Sequence, residues 1–466
     1  MKYTLNGTLY APYQVDGVKW MLGMENQKEG PKGGFLCDEM GLGKTIQIIA
    51  TILGNPKNNT LIVVPKTIVT QWSKELKKFA PGLSVLVYDG PKRTNEKQDL
   101  LAHDVVICPY SVTYSKTSIL GMIHWDRIVL DEAHEIRNRQ TRTFKCLNAF
   151  RSSIRWLVTG TPVFNSMEDF VTLCAFLGLS KNVVQGMHKQ IKDIYILRRT
   201  KADSSLDLPY CHFENVELDM YPEEQSLYEC AFMEAQDTIK HIMSTTVSVE
   251  ARNMHILECL LRVRQLMIWP QLYLDGVSKK LDQPPQIWKH KTHKMDKLFM
   301  HINSHPDEKA VVFCQFKGEM DYIEKTLMCT VFRIDGSVEK DERNRRIELF
   351  SAAPSNSVLI VQIKCGGQGL NIQCATRVYI ISPSWNPSTE LQAIGRCHRS
   401  GQTKEVYVKK LVYNDTQRFR SVELAMMSLQ GHKSVLCADV LNDKRIEFQI
   451  PMKQEKSIDA IRKIFR

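Results

Sequence analysis

Residues 38–45 read DEMGLGKT and lead directly into the apolar stretch TIQIIATIL. A glycine-bearing turn that opens a helix gathers backbone N–H groups and the positive helix end around one point, which is what a phosphate needs. In such a turn, built from Asp38, Gly41 and Gly43, Lys44 reaches the β- and γ-phosphates and the Thr45 hydroxyl ligates Mg²⁺. The strict G-x-x-x-x-G-K-[ST] spacing is not met, because Asp38 stands at the first glycine position. A Gly-Lys-Thr triplet by itself also occurs in ordinary loops. The second half of the pattern is RIVLDEAH, residues 127–134. Here an apolar strand ends in two carboxylates, at the sheet edge where ligands bind. Asp131 can hold Mg²⁺, and Glu132 can orient and deprotonate an attacking water. The bland alternative is a solvated acidic turn, and the upstream glycine turn weighs against it.

Cations for the same chemistry occur far downstream, in NPSTELQAIGRCHRSGQ, residues 386–402. The spacing predicts a helix with Pro387 near its start and Gly401 near its stop. Gln392, Arg396 and Arg399 then fall at i, i+4 and i+7 on one face. Two guanidiniums and an amide on one stripe suit the charge that develops on a transferring phosphoryl group, where an arginine can contribute ~10³–10⁵ in rate. A solvated basic helix face is the competing reading.

The elements that must carry these groups alternate as parallel α/β units do. Strand-like runs occur at 61–65 (LIVVP), 105–109 (VVICP), 127–130 (RIVL) and 156–159 (WLVT). Between the first two, Ile68, Val69, Trp72, Leu76 and Phe79 share one helical face that should pack on a sheet. Residues 200–290 lose the alternation and read as helical and polar, with turn signals at Leu208-Pro209, Trp269-Pro270 and Pro284-Pro285. Strands resume at 310–316, 331–336, 358–363, 377–383 and 406–412. The expected organisation is a lobe over 1–200, a helical insertion and linker over 201–290, a second lobe over 291–430 and a basic helical tail over 431–466.

The 466 residues are 43% hydrophobic and 24% charged, enough for two or three domains with cores of their own. A net charge of +11 points to an anionic partner. Thirteen cysteines stand singly with no C-x-x-C pair, which argues against a zinc finger, a RING module or a thioredoxin-type site. Scattered thiols fit a reduced compartment, nuclear or cytoplasmic. The N-terminus lacks the apolar core of a signal peptide, and no run of about 18 apolar residues occurs.

Taken in order, LYAPYQVDGVKWML, DEMGLGKT, LIVVPKTIVTQW, VVICPY, RIVLDEAHEIRN, LVTGTP, ILRRTK, VVFCQF, RIDGS, KCGGQGLNIQ and SWNPSTELQAIGRCHRSGQ resemble the Swi/Snf-type ATPases, a branch of helicase-like superfamily two. The match runs from about residue 9 to 403. The resemblance implies two RecA-like parallel-sheet lobes, DNA-stimulated ATP hydrolysis with Mg²⁺, and ATP-dependent translocation on double-stranded DNA that remodels or displaces DNA-bound protein. Gln14 would read the adenine, and Gly369, Arg396 and Arg399 would close the site from the second lobe. Lys66, Thr67, Thr161, Gln315, Lys364, Gly366 and Trp385 would lie near the DNA backbone; Lys66 and Lys364 could equally be surface lysines.

The sequence departs from the family in having Ser382 and Ser384 where members often carry an acidic residue before Trp-Asn-Pro. Its spelling leans toward a RING-bearing branch, yet it holds no RING finger, and no histone-reading module is recognisable. Such a pared-down motor suits a large DNA virus or a subunit that borrows its targeting. It would act as a monomer or within a larger complex, on chromatin or transcription machinery, in a nucleus, viral factory or virion. Two rivals remain. One is an RNA-dependent ATPase or strand-separating helicase, and the other is a binding module on an inactive ATPase fold.

Overall fold

The structure, a computed structural model, describes residues 4–9, 12–115, 118–160, 167–201, 203–204, 208–245, 248–284, 286–366, 370–399, 401–441 and 457–465. The chain divides into two compact units. One is Met1–Asp207 with Lys433–Ile450, and the other is Leu208–His432 with Pro451–Arg466.

The first unit is built on seven strands: β1 (Gly33–Leu36), β2 (Thr60–Val64), β3 (Val85–Val87), β4 (Val105–Pro109), β5 (His124–Asp131), β6 (Arg151–Val158) and β7 (Ile196–Leu197). They pair in parallel in the order β3-β4-β2-β5-β6-β1-β7. Every residue of β2 and β4 is buried, which is why these strands read as unbroken apolar runs. The helix Lys44–Gly54 contributes Ile48, Ile49 and Ile52 to the core, and the helix Val69–Phe79 contributes Val69, Trp72 and Leu76. Ile68 and Phe79, expected on the same face, pack against that core half-buried.

Strand β5, which delivers the acidic pair, is anchored near its start. Arg127 is fully buried and donates from Nε and Nη2 to the two carboxylate oxygens of Glu25, each at 2.6 Å. Trp156 Nε1 and Asn55 Nδ2 also donate to Glu25, at 2.9 and 2.7 Å. Both charges of this desolvated pair are therefore satisfied, the condition under which such a pair is tolerated in a core.

The second unit has six strands: β8 (Cys211–Leu218), β9 (Ala310–Cys314), β10 (Val331–Ile334), β11 (Val358–Gln362), β12 (Arg377–Ile380) and β13 (Val406–Tyr413). They are parallel, in the order β10-β11-β9-β12-β13-β8. The fold class is α/β with two parallel sheets, as the alternation predicted.

The 201–290 segment differs from the expected insertion and linker. It opens with β8, and its helices Pro222–Ser244, Val249–Ile268 and Pro270–Leu281 share one core with Val312 and Ile360 of the second sheet. Strand β8 escaped notice because it lies at the sheet edge, where CHFENVEL can leave Phe213, Glu214, Asn215 and Glu217 exposed. At the chain end, the helix Ser457–Ile464 and the residue after it bury Ile461, Ile464 and Phe465 in this same core. Phe465 lies 5.1 Å from the Phe232 ring. This terminal stretch of the expected basic tail is thus amphipathic, with Lys463 exposed.

Candidate nucleotide and nucleic-acid sites

The DEMGLGKT turn leaves β1 at its carboxyl end and enters the helix Lys44–Gly54. Gly43 sits at φ 74°, in the left-handed region, and a Cβ there would come within 2.4 Å of Gln14 Nε2. Glycine is therefore required twice at this position, by conformation and by the close approach of Gln14. Gln14, in the helix Tyr13–Asn26, is buried and donates to the Leu42 carbonyl at 3.1 Å, which joins that helix to the turn. Lys44 Nζ donates to the carbonyl of Asp38 at 2.9 Å, bending its ammonium back over the turn.

Asp38 plays a different part from the nucleotide contact expected of it. Its side chain is fully buried, and both carboxylate oxygens are occupied. Oδ1 accepts from Arg199 N and Nε at 3.1 and 2.9 Å, while Oδ2 accepts from Arg199 Nη2 and from Gln47 Nε2, the latter at 3.0 Å. Asp38 thus frames the turn from behind.

The acidic pair closes β5. Trp72 Nε1 donates to Asp131 Oδ2 at 2.7 Å, the Glu132 amide donates to Oδ1 at 2.9 Å, and Tyr110 OH donates to the Asp131 carbonyl at 2.8 Å. Burial, reinforced by the neighbouring Glu132 charge, pushes the Asp131 carboxyl up to about 6. The Trp72 hydrogen bond and the Lys44 charge oppose that rise. The Lys44 ammonium thus lies within electrostatic reach of Asp131.

Glu132 adopts φ 51°, ψ 49°, a left-handed conformation rare for a residue with a side chain. Such backbone strain is typical of functional turns. Its Oε2 lies 3.4 Å from His134 Nδ1. Burial lowers the His134 pKa to about 4, so near neutral pH the imidazole is uncharged and does not pin the carboxylate in an ion pair. Half-buried Thr45 follows Lys44 in the first helical turn. Gly160, of the LVTGTP segment, abuts the Asp38 carbonyl and Met40. Thr161 and Gly369 lie outside the described residues.

In the second unit the expected helix over 386–402 is shorter. It runs from Pro387 to Ile394 and ends at Gly395, so Gln392 is helical while Arg396 and Arg399 sit in the turns beyond. The carbonyls that would have continued the helix are taken elsewhere. That of Arg396 accepts from Ile372 N at 3.0 Å, and that of Cys397 accepts from Gln402 Nε2 at 3.1 Å. Burial of Cys397 in the core fixes this path.

Among the backbone-contact candidates, Lys66 is exposed and Thr67 half-buried in the short turn of helix that follows β2. Lys364 is exposed in the turn Ile363–Gly366 that follows β11. Gln315 Nε2 donates to Ser384 Oγ at 3.1 Å, which places Gln315 beside the Trp385 segment, and Trp385 packs half-buried on the core. These segments follow strand ends, the usual ligand edge of a parallel sheet. Sequence reasoning gave Trp72 only a packing role and Arg199 none. ILRRTK contained the signal for Arg199, without its partner.

Two parallel sheets and a phosphate-type turn set against an acidic pair define a P-loop protein of the two-unit, helicase-like class. Residues 13–185 match the SNF2-related domain and residues 290–401 the helicase conserved C-terminal domain. The chain belongs to the SNF2, or Swi/Snf-type, ATPase family. It is 32% identical over 448 residues to a putative ATP-dependent helicase/translocase, YwqA, of Bacillus subtilis, covering 89% of this chain and 47% of that one. It is 30% identical to chromodomain-helicase-DNA-binding protein 1-like of Danio rerio, over 89% of this chain and 43% of that one. Among solved structures it is similar to a Sulfolobus solfataricus SWI2/SNF2 ATPase core in complex with dsDNA, at 29% identity, 95% coverage of both chains and a TM-score of 0.42. The chain spans about half or less of the length of the two curated relatives, from Bacillus subtilis and Danio rerio.

Proposed function

We propose that the chain hydrolyses ATP when bound to double-stranded DNA and uses the cycle to move along the duplex, displacing or remodelling protein bound there. The observation that carries this reading is the approach of Lys44 to Asp131 within electrostatic reach, with the Asp131 carboxylate held by Trp72 and its carbonyl by Tyr110. Lys44 and the N–H groups of the turn bind the phosphates, and Gln14 stands at the adenine end. Hard oxygen donors at Thr45 and Asp131 fit Mg²⁺, which prefers one or two protein oxygens plus phosphate. Bound there, the ion would offset phosphate charge. Glu132 accepts the proton of the attacking water. Arg396 and Arg399 supply positive charge to the transferring group.

Lys66, Thr67, Gln315, Lys364, Gly366, Trp385 and Thr161 are assigned to the phosphate backbone, so binding is independent of base sequence. The net charge of +11 supports a polyanionic partner. The test is the ATPase rate with no polymer, duplex DNA, single-stranded DNA or RNA, with strand displacement followed in parallel. Duplex DNA should stimulate most, and stimulation should fall steeply with salt as bound counterions are released. A third strand should be stripped from a triplex while a forked duplex stays paired. Efficient fork opening with the triplex ignored would replace this reading with a strand-separating helicase.

A further inference from the structure

Arg199 stands where three segments of the first unit meet. Its main chain continues the pairing of β7 with the nucleotide turn, accepting from Glu39 N at 2.8 Å just after Leu197 accepts from Cys37 N at 2.8 Å. Its guanidinium grips both carboxylate oxygens of Asp38, donates to Gln47 Oε1 at 2.7 Å and to the Tyr13 carbonyl, and lies over the Tyr13 ring at 5.6 Å. Tyr13 immediately precedes Gln14, and Gln47 lies in the helix that Lys44 begins.

Asp38 is a fully desolvated anion, and the Lys44 ammonium already lies 2.9 Å from its carbonyl oxygen. Removing Arg199 would strand that buried charge in the same turn that carries Lys44, the lysine that must serve the phosphates. We propose that Arg199 is a positioning residue of the nucleotide site: by neutralising Asp38 it keeps Lys44 available to phosphate and holds the turn against the Tyr13–Gln14 segment. This rests on the nucleotide reading given above.

The test is binding of a fluorescent ADP analogue to the full chain, with and without Mg²⁺, with folding followed by circular dichroism. Arg199→Gln should weaken binding about tenfold or more, as expected when one side of a buried charge pair is removed. Adding Asp38→Asn to that variant should restore affinity to within about threefold of the parent, because the stranded charge is gone. A loss of packing alone would not be repaired by exchanging a carboxylate for an amide. Arg199→Lys keeps the charge and loses the fork that also reaches Gln47 and Tyr13, so its affinity should fall between those of the parent and Arg199→Gln.

Parent-like affinity in Arg199→Gln overturns the assignment, as does a double variant no tighter than the single one. Should Arg199→Gln fail to fold, the double variant decides, and an affinity there more than about tenfold below the parent overturns the charge argument. A parent that binds no ADP overturns the nucleotide reading itself, an outcome distinct from either.

Discussion

Trp72 donates its indole N–H to Asp131 Oδ2 at 2.7 Å across 59 residues of sequence, joining the helix after β2 to the end of β5. The bond fixes one carboxylate oxygen while the Glu132 amide fixes the other. Trp72→Phe keeps most of the buried ring surface and removes the donor. A hydrogen bond to a charged group contributes about 1.5–3 kcal/mol, so turnover at saturating ATP should fall roughly 10–100-fold. The Mg²⁺ concentration needed for half-maximal rate should rise, and metal-free ADP binding should hold. A Mg²⁺ titration beside a binding isotherm separates the two, and unchanged turnover would leave Trp72 a packing residue only.

Glu132→Gln should bind ATP and hydrolyse it at a small fraction of the parent rate, because the water loses its base. Lys44→Ala should weaken nucleotide binding itself. Single-turnover hydrolysis and equilibrium binding on the purified variants distinguish these effects. Near-normal turnover in either would remove that residue from the site.

Arg396→Ala and Arg399→Ala should leave ATP affinity within a few fold and lower turnover by about two orders of magnitude or more, the pattern of groups that act on the transition state. Their position beyond the helix end, on a turn fixed by Ile372 and Gln402, means that Gln402→Ala should also lower turnover. Steady-state kinetics of all three variants tests this. Normal cycling in both arginine variants would favour a solvated basic surface.

Glu319 is fully buried at the start of the helix Lys317–Thr326, where it accepts from the amides of Gln315 and Phe316. Burial raises its pKa to about 8. The folded state therefore holds the proton more tightly than the unfolded chain, where glutamate titrates near 4.3. Stability from this group is fully present below about 4.3 and is lost as pH rises through about 8. Glu319→Gln mimics the protonated acid. The melting temperature of the variant, relative to the parent, should rise by several degrees between roughly pH 5 and pH 9. Parallel melting curves at both pH values would contradict the assignment.

The two nucleotide motifs and most strands were legible because their signals are local. A glycine turn opening a helix, or an apolar run ending in Asp131-Glu132, needs only a few consecutive residues. Arg199 and Trp72 were not legible as site residues, since each acts through a partner 161 or 59 positions away and nothing at the residue itself names that partner. Strand β8 was hidden by its exposed edge position. The helix Pro387–Ile394 is shorter than its periodicity implies, because periodicity counts side chains and does not register that Arg396 and Cys397 bond back in tighter turns while their own carbonyls find donors in Ile372 and Gln402.

Strand β8 pairs along its whole length with β13, and beside it Asn414 reaches Asp219 across 195 residues. On a ribosome, where chains emerge at about 5–20 residues per second, this sheet cannot be completed until β13 has left the exit tunnel. The strands β1–β7 are all in hand by residue 197, some two hundred residues sooner. Synthesis thus passes through a long interval in which β8 and the helices after it lack their sheet, when a chaperone or a neighbouring nascent chain could claim them. The same pairing sets where the gene can be cut. A fragment begun at residue 291 would strip β8 from the edge of β13, whereas one begun at Leu208 carries its own border strand.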